Sequence, residues 1–371
     1  MNKVMKFIIG GQNFQIESLD PNMDRAFIDL HAAYFSNQAM AWDDFKSKST
    51  DFFSKHYSDR LLTRGFFRNF TIIWKRYLNK GLWDQAENIW ELALEPAIEW
   101  ENNNEKKRVH KGGPYYFWGM TAIQRGDLDR GFSLMHQALA EDVITSGEQF
   151  PDTPSLAFAA LDYENVEQAF RQWVLLEAQY LDKQITIYNK ERDRAFSLDQ
   201  FRSKYLQAPP SVDAIYLLAY TIARLLRLEK LPKYLLSSPF AGQLLQNLLF
   251  DLVQIVDETI AKKNPGKWKM IDHINHLSRK ARILISKVKL VEVNRKFQSN
   301  FEDTMDELAN HTFEFKDRTT PTNLQVDLLV VYGLRNRGAH KVSSAPIVWQ
   351  EFPKIRNSVF NSLFLSAEVL Y

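Results

Sequence analysis

The 371-residue chain contains no cysteine, which excludes disulfide cross-links, thiolate nucleophiles and cysteine-ligated zinc. Their absence fits a reducing compartment. Glycine and proline are scarce, at 14 and 13 residues, so few turns are available and long helices are favoured over many short strands. Long apolar runs are also missing. The best stretch, Leu328–Tyr332, falls far short of the ~20 residues that cross a bilayer, and Phe7-Ile8-Ile9 runs into Gly10-Gly11, too short for a signal-peptide core. No phosphate-cradling glycine loop, serine-nucleophile elbow or kinase signature occurs. These absences lead to the expectation of a cytoplasmic protein with no membrane partner, no cofactor and no metal.

What is present is aromatic and locally charged. Phe, Tyr and Trp number 26, 14 and 9, enough ring surface to fill a large core. Net charge is only +2, but its distribution is uneven: Lys262–Lys296 carries eleven Lys or Arg against Asp272 and Glu292, leaving the remainder acidic. Such a stripe suits a phosphate-binding surface as well as a solvated helix face.

Residues 3–17 read as a hairpin around Gly10-Gly11, and residues 23–65 as two helices. An internal repeat follows. Phe70, Ile73, Trp74, Tyr77, Gly81, Ala86, Trp90 and Ala93 recur in spacing as Tyr115, Trp118, Gly119, Ala122, Gly126, Gly131, Met135 and Ala138. The polar stretch Glu101–Lys111 lengthens the period beyond that of a bare helix pair. Large residues on the first helix, a small residue at the turn and small residues on the second resemble the tetratricopeptide family. Trp74 departs from it, standing where a small residue is favoured. The resemblance implies a helical array with a surface for a protein or peptide partner, and a degenerate further pair is expected over 154–192. Ser203–Asp213, with Pro209-Pro210, reads as a linker. The expected organisation is therefore all-α: a hairpin and helical cap over 1–65, repeats over 66–205, and a bundle over 211–371 with helices near 212–230, 241–263, 268–289, 298–311, 322–340 and 348–370.

Within that bundle, Leu324, Leu328, Leu329, Val331, Tyr332 and Leu334 make a helix apolar on most faces. It turns polar abruptly at Arg335-Asn336-Arg337-Gly338-Ala339-His340. Arg335-Asn336, three residues, then His340, with this apolar lead-in, resembles the HEPN superfamily, whose ribonuclease members carry Arg, four to six residues, then His. The loose spacing alone is expected roughly once by chance. It occurs twice more, at Arg25–His31 and Arg130–His136, but neither Arg is followed by Asn. A helix end capped by cations, with Gly338 as its stop, is the competing structural reading.

The resemblance implies metal-independent RNA cleavage by 2′-hydroxyl attack, with His340 moving the proton, Arg335 stabilising phosphoryl charge and Asn336 orienting the imidazole or holding a phosphate oxygen. Positions 336 and 340 share a helix face about 40° apart, whereas 335 and 340 lie about 140° apart. HEPN ribonucleases are dimers in which two motifs meet, so a homodimer through the bundle with a composite site is expected. Family members add an acid from an earlier helix; Asp251, Asp257 and Glu258 are candidates. Arg337, Lys341, Lys267, Lys269, Arg279 and Lys280 are candidate RNA contacts. Lys267-Trp268-Lys269 could stack a base or form a core edge with snorkelling lysines. His273 and His276 share a face but lack a third ligand for a metal, and a solvated or RNA-facing pair is expected instead. The functional expectation is a regulated prokaryotic defence or toxin nuclease. Competing expectations are a non-catalytic scaffold whose bundle dimerises or binds nucleotide, and one half of a toxin–antitoxin pair.

Overall fold

The computed structural model describes residues 4–9, 11–36, 42–148, 151–206, 211–231, 239–267, 269–338 and 345–371. The fold is all-α apart from one hairpin. The chain divides into two compact units, Met1–Leu156 and Ala157–Tyr371. The expected boundary near 205–211 lies inside the second of these. Residues 203–206, expected to begin a linker, instead lie in a π turn over 202–206 with Tyr205 and Leu206 buried, and Tyr205 Oη is 2.8 Å from Thr259 Oγ1. Residues 207–210, with Pro209-Pro210, lie outside the described residues.

In the first unit, β1 (Val4–Ile9) pairs antiparallel with β2 (Gln12–Glu17) in the register Val4↔Glu17. Gly11 takes the left-handed conformation at the turn, φ 78°. Three helices follow rather than two: α1 (Pro21–Ser36), α2 (Trp42–His56) and α3 (Arg60–Arg68). Asp59 caps α3 by accepting from Leu61 N and Leu62 N, which starts a new helix where periodicity alone runs on. Phe27, Phe45, Phe52, Phe53, Phe66 and Phe70 are buried and pack ring on ring, Phe27 standing 5.2–5.3 Å from Phe45, Phe66 and Phe70 in edge-on geometry.

The repeat becomes two helical hairpins, α4 (Thr71–Asn79) with α5 (Trp83–Asn102) and α6 (Gly112–Arg125) with α7 (Leu128–Ser146). Their turns share a backbone pattern. Gly81 and Gly126 both adopt positive φ, 68° and 111°, and Leu82 N donates to Tyr77 O as Asp127 N donates to Ala122 O, at 3.0 and 2.9 Å. Gly119 and Gly131 let α6 and α7 touch: a Cβ on Gly119 would lie 2.9 Å from Gly131 O. The polar insert is fastened by Lys111, whose Nζ reaches Glu101 Oε1 at 2.6 Å and Val109 O at 3.0 Å.

A short helix, α8 (Pro154–Ala159), spans the unit boundary. In the second unit α9 (Gln168–Arg192) does not form a repeat hairpin with it; α9 packs on the closing helix α18 (Phe352–Leu370) and on α11 (Val212–Leu228). Between them run α10 (Leu198–Phe201), α12 (Pro239–Lys262), α13 (Met270–Lys280), α14 (Lys287–Ser299), α15 (Phe301–Ala309), α16 (Asn323–Gly338) and α17 (Pro346–Gln350). The helix expected over 268–289 is broken. α13 ends with Arg282 at φ 61° and Ile283 N bonded to Ser278 O, and Ser286 then caps α14 through Lys289 N. Asn300 closes α14 and caps α15, and Pro353 stands in the first turn of α18, separating it from α17.

α16 and α18 form the centre of this unit. Val326–Leu334 is buried without interruption, as expected for a helix apolar on most faces. The one charge in that run, Asp327, is 0% exposed and receives Arg192 Nε at 2.6 Å and Nη2 at 2.7 Å. This bidentate pair, absent from the sequence reading, is how the core accommodates an aspartate.

Candidate active site

The last turn of α16 meets α12, α13 and α14. Gly333 permits the meeting with α14: a Cβ there would lie 2.3 Å from Phe297 Cζ. One turn on, the helix emerges from the core and its side chains change from apolar to cationic.

Arg335 Nε donates to Asp257 Oδ2 of α12 at 2.9 Å. The other carboxylate oxygen, Oδ1, lies 2.6 Å from His273 Nδ1 of α13, and His273 Nε2 lies 3.1 Å from the carbonyl of Lys267. Both imidazole nitrogens are therefore engaged, and the geometry suits a protonated ring donating twice. Burial alone would raise the Asp257 carboxyl; the hydrogen bonds from His273 and Arg335, with their charges, outweigh it and hold it below the ordinary aspartate value. The hydrogen bond with Asp257 raises His273 against the opposing effect of burial.

Of the three acids considered, the fold brings only Asp257 to Arg335. Asp251 faces Arg224 at 3.8 Å and is raised by burial. Glu258 is exposed and its charge acts on Tyr205 and Tyr371.

Asn336 Nδ2 donates to Asn294 Oδ1 of α14 at 3.1 Å. Arg337 is half-buried, with its guanidinium 4.3 Å over the Phe301 ring. Together with Asp257, Lys269 and Tyr332, these residues line a pocket of about 510 Å³. The motif thus sits at a cavity with three cations, Lys269, Arg335 and Arg337, at its wall.

His340 and Lys341 lie outside the described residues, as does Trp268. Arg279 and Lys280 are exposed at the end of α13 and do not line the pocket, and Lys267 contributes its carbonyl to His273. Part of the basic stripe is neutralised locally, Lys287 by Asp272 at 2.7 Å and Lys289 by Asp317 at 3.3 Å. The expectation of a solvated or RNA-facing His273–His276 pair is corrected: His273 is 3% exposed and held by Asp257, and His276 Nε2 is buried, without a hydrogen-bond partner among the described residues. The signal was local. His273 stands beside Ile274 and one turn before Leu277, both fully buried, so its helix face points inward.

The other two Arg–His spacings have structural surroundings. His31 is enclosed by Phe7, Phe14, Phe27 and Phe35, and Arg130 pairs with Glu87 at 2.8 Å and covers Trp118. Among the described residues no group of three or more His, Asp or Glu is placed to hold a metal ion, and no helix is long and apolar enough to cross a membrane. Comparison with protein-family models, with curated proteins and with solved structures finds no match to this chain.

Proposed function

We propose that the C-terminal unit is a metal-independent endoribonuclease, acting as a homodimer in which the Arg335, Asn336 and His340 of two copies form one composite site. The observation that carries this reading is the Arg335–Asp257 contact, 2.9 Å long, in a pocket lined by two further cations. An acid from an earlier helix set against the motif arginine is what the HEPN resemblance leads one to expect. A helix end capped only by its own cations has no need of it.

In the proposed reaction the 2′-oxygen bonds to phosphorus as His340 takes its proton. The 5′-oxygen leaves as a hydroxyl, its proton returned by an imidazole of the composite site, and a 2′,3′-cyclic phosphate remains. Arg335 stabilises the charge that develops on the phosphoryl oxygens. Asp257, held by His273, is a positioning residue: it fixes the guanidinium through Nε and leaves the terminal nitrogens toward the substrate. The cell would hold such an activity in check as a cytoplasmic defence or toxin effector, with the helical hairpins of the first unit as the docking surface for a regulating protein or peptide.

Labelled RNA incubated with the full chain in EDTA tests the reading. Cleavage with cyclic phosphate ends is expected, no cutting where the 2′-hydroxyl is removed, and a loss of roughly 100-fold or more for His340→Ala and Arg335→Ala. Dependence on a divalent metal, or activity surviving in His340→Ala, would overturn it. A folded dimer with no activity, even with its partner removed, favours the non-catalytic scaffold.

A further inference from the structure

The pocket beside Arg335 contains more than a phosphate site requires. A phosphate asks for donors and positive charge. Lys269, Arg335 and Arg337 supply both. The same cavity also has an aromatic wall, Phe297, Phe301 and Tyr332, with the first two rings 5.4 Å apart. Three carboxamides, Asn294, Gln298 and Asn336, also line it, on the same two helices as Phe297 and Tyr332. Asn294 and Gln298 lie one turn apart on α14, and Asn294 is tied to Asn336 at 3.1 Å.

Carboxamides display a donor and an acceptor side by side, the pattern found along the edge of a nucleobase and absent from a phosphate. The rings are buried and form the floor of the pocket, and the Arg337 guanidinium laid over Phe301 is the kind of plane on which an unpaired base stacks. The volume of about 510 Å³ lies in the range of small-ligand pockets, about 300–1,000 Å³. The edge of a base that would meet the carboxamides is free only when the base is unpaired.

We propose that this pocket receives one unpaired nucleobase, recognised along its edge by Asn294 and Gln298, with the attached phosphate toward Lys269 and Arg335. The inference rests on the reading of the site as RNA-cleaving for the polymer to which the nucleotide belongs; the base-binding chemistry itself is that of any nucleotide. It makes the substrate single-stranded and gives the site a base preference at one position.

Binding rather than cleavage tests it. The full chain is titrated by fluorescence anisotropy with all-2′-deoxy oligonucleotides, which a 2′-hydroxyl mechanism cannot cut. The probes are single strands of each base, the same length with abasic positions, and the duplex. Single strands of at least one base are expected to bind about tenfold or more tighter than the abasic chain and the duplex. Gln298→Ala, at an exposed position, and Asn294→Ala are expected to remove about tenfold of that advantage while leaving abasic binding unchanged. Competition by a nucleoside monophosphate assigns the source to free nucleotides, and its failure to compete assigns it to the polymer; both keep the base in the pocket. Equal binding of abasic and base-bearing strands, or full base discrimination in both folded variants, would overturn the inference. A protein that discriminates bases but never cuts RNA retains the pocket and loses the proposed function. One that cuts RNA without discrimination loses the pocket alone.

Discussion

Asp257 shows how one carboxylate organises groups from three helices. It holds Arg335 with one oxygen and His273 with the other, and the two shifts act in opposite pH directions. Asp257 is lowered in the fold, so its contribution is present above the ordinary aspartate value of about 3.9 and is lost as pH falls through its folded value. His273 is raised, so its contribution is complete below about 6.5 and is lost as pH rises through its folded value. The stability difference between the natural chain and His273→Ala, from urea midpoints across pH 2–9, should therefore be greatest between those two values and narrow on either side. A difference that grows in alkali would contradict the assignment. Asp327 is a simpler case: Asp327→Ala leaves Arg192, 5% exposed at its side chain, with only the longer contact to Glu191 at 3.6 Å, and should cost roughly 3 kcal/mol of unfolding free energy. The need for a partner to Arg335 was legible in the sequence, and Asp257 was among three candidates. The choice was not legible, because the rotation of α12 against α16 turns 257 inward and 258 outward, and adjacent residues differ by about 100°.

At the scale of elements, the repeat is the clearest case of local information sufficing. Glycines at the turns and small residues on the second helices specify both hairpins, since only Gly tolerates positive φ freely and only small side chains allow the close approach. Gly119→Ala should destabilise the first unit by about 1–3 kcal/mol in chemical denaturation, because the new methyl meets the Gly131 carbonyl, which is backbone and cannot rotate away. A neutral result would mean that α6 and α7 do not pack as described. Helix ends were less legible. The break between α13 and α14 depends on a left-handed Arg282, a conformation the sequence gives no reason to expect of arginine. The fate of 203–206 was equally hidden: Tyr205 is buried because Thr259, 54 residues away, meets its hydroxyl.

At the scale of the whole molecule, one buried histidine makes the first unit sensitive to acid. His31 is buried among four phenylalanines, its ring nitrogens without hydrogen-bond partners among the described residues, and burial lowers it to about 4. A histidine lowered in the fold adds stability that is complete above about 6.5 and disappears as pH falls toward 4, about 3 kcal/mol over that range. Acidification from pH 7 to 4.5 should therefore lower the melting temperature, and His31→Leu should reduce that loss, with the remainder including His110, which burial also lowers. An acid response undiminished in His31→Leu would rule the residue out.

The sequence by itself determined the helical class, the hairpins and the position of the motif at the end of a buried helix, because each follows from periodicity, glycine placement or residue type within a few turns of chain. Only the tertiary structure decided which acid faces Arg335, that His273 belongs to the same cluster, that α9 packs with the C-terminal helices, and that the motif opens onto a pocket walled by rings and carboxamides. Those outcomes depend on the rotation and approach of helices far apart in the chain, which no local pattern encodes.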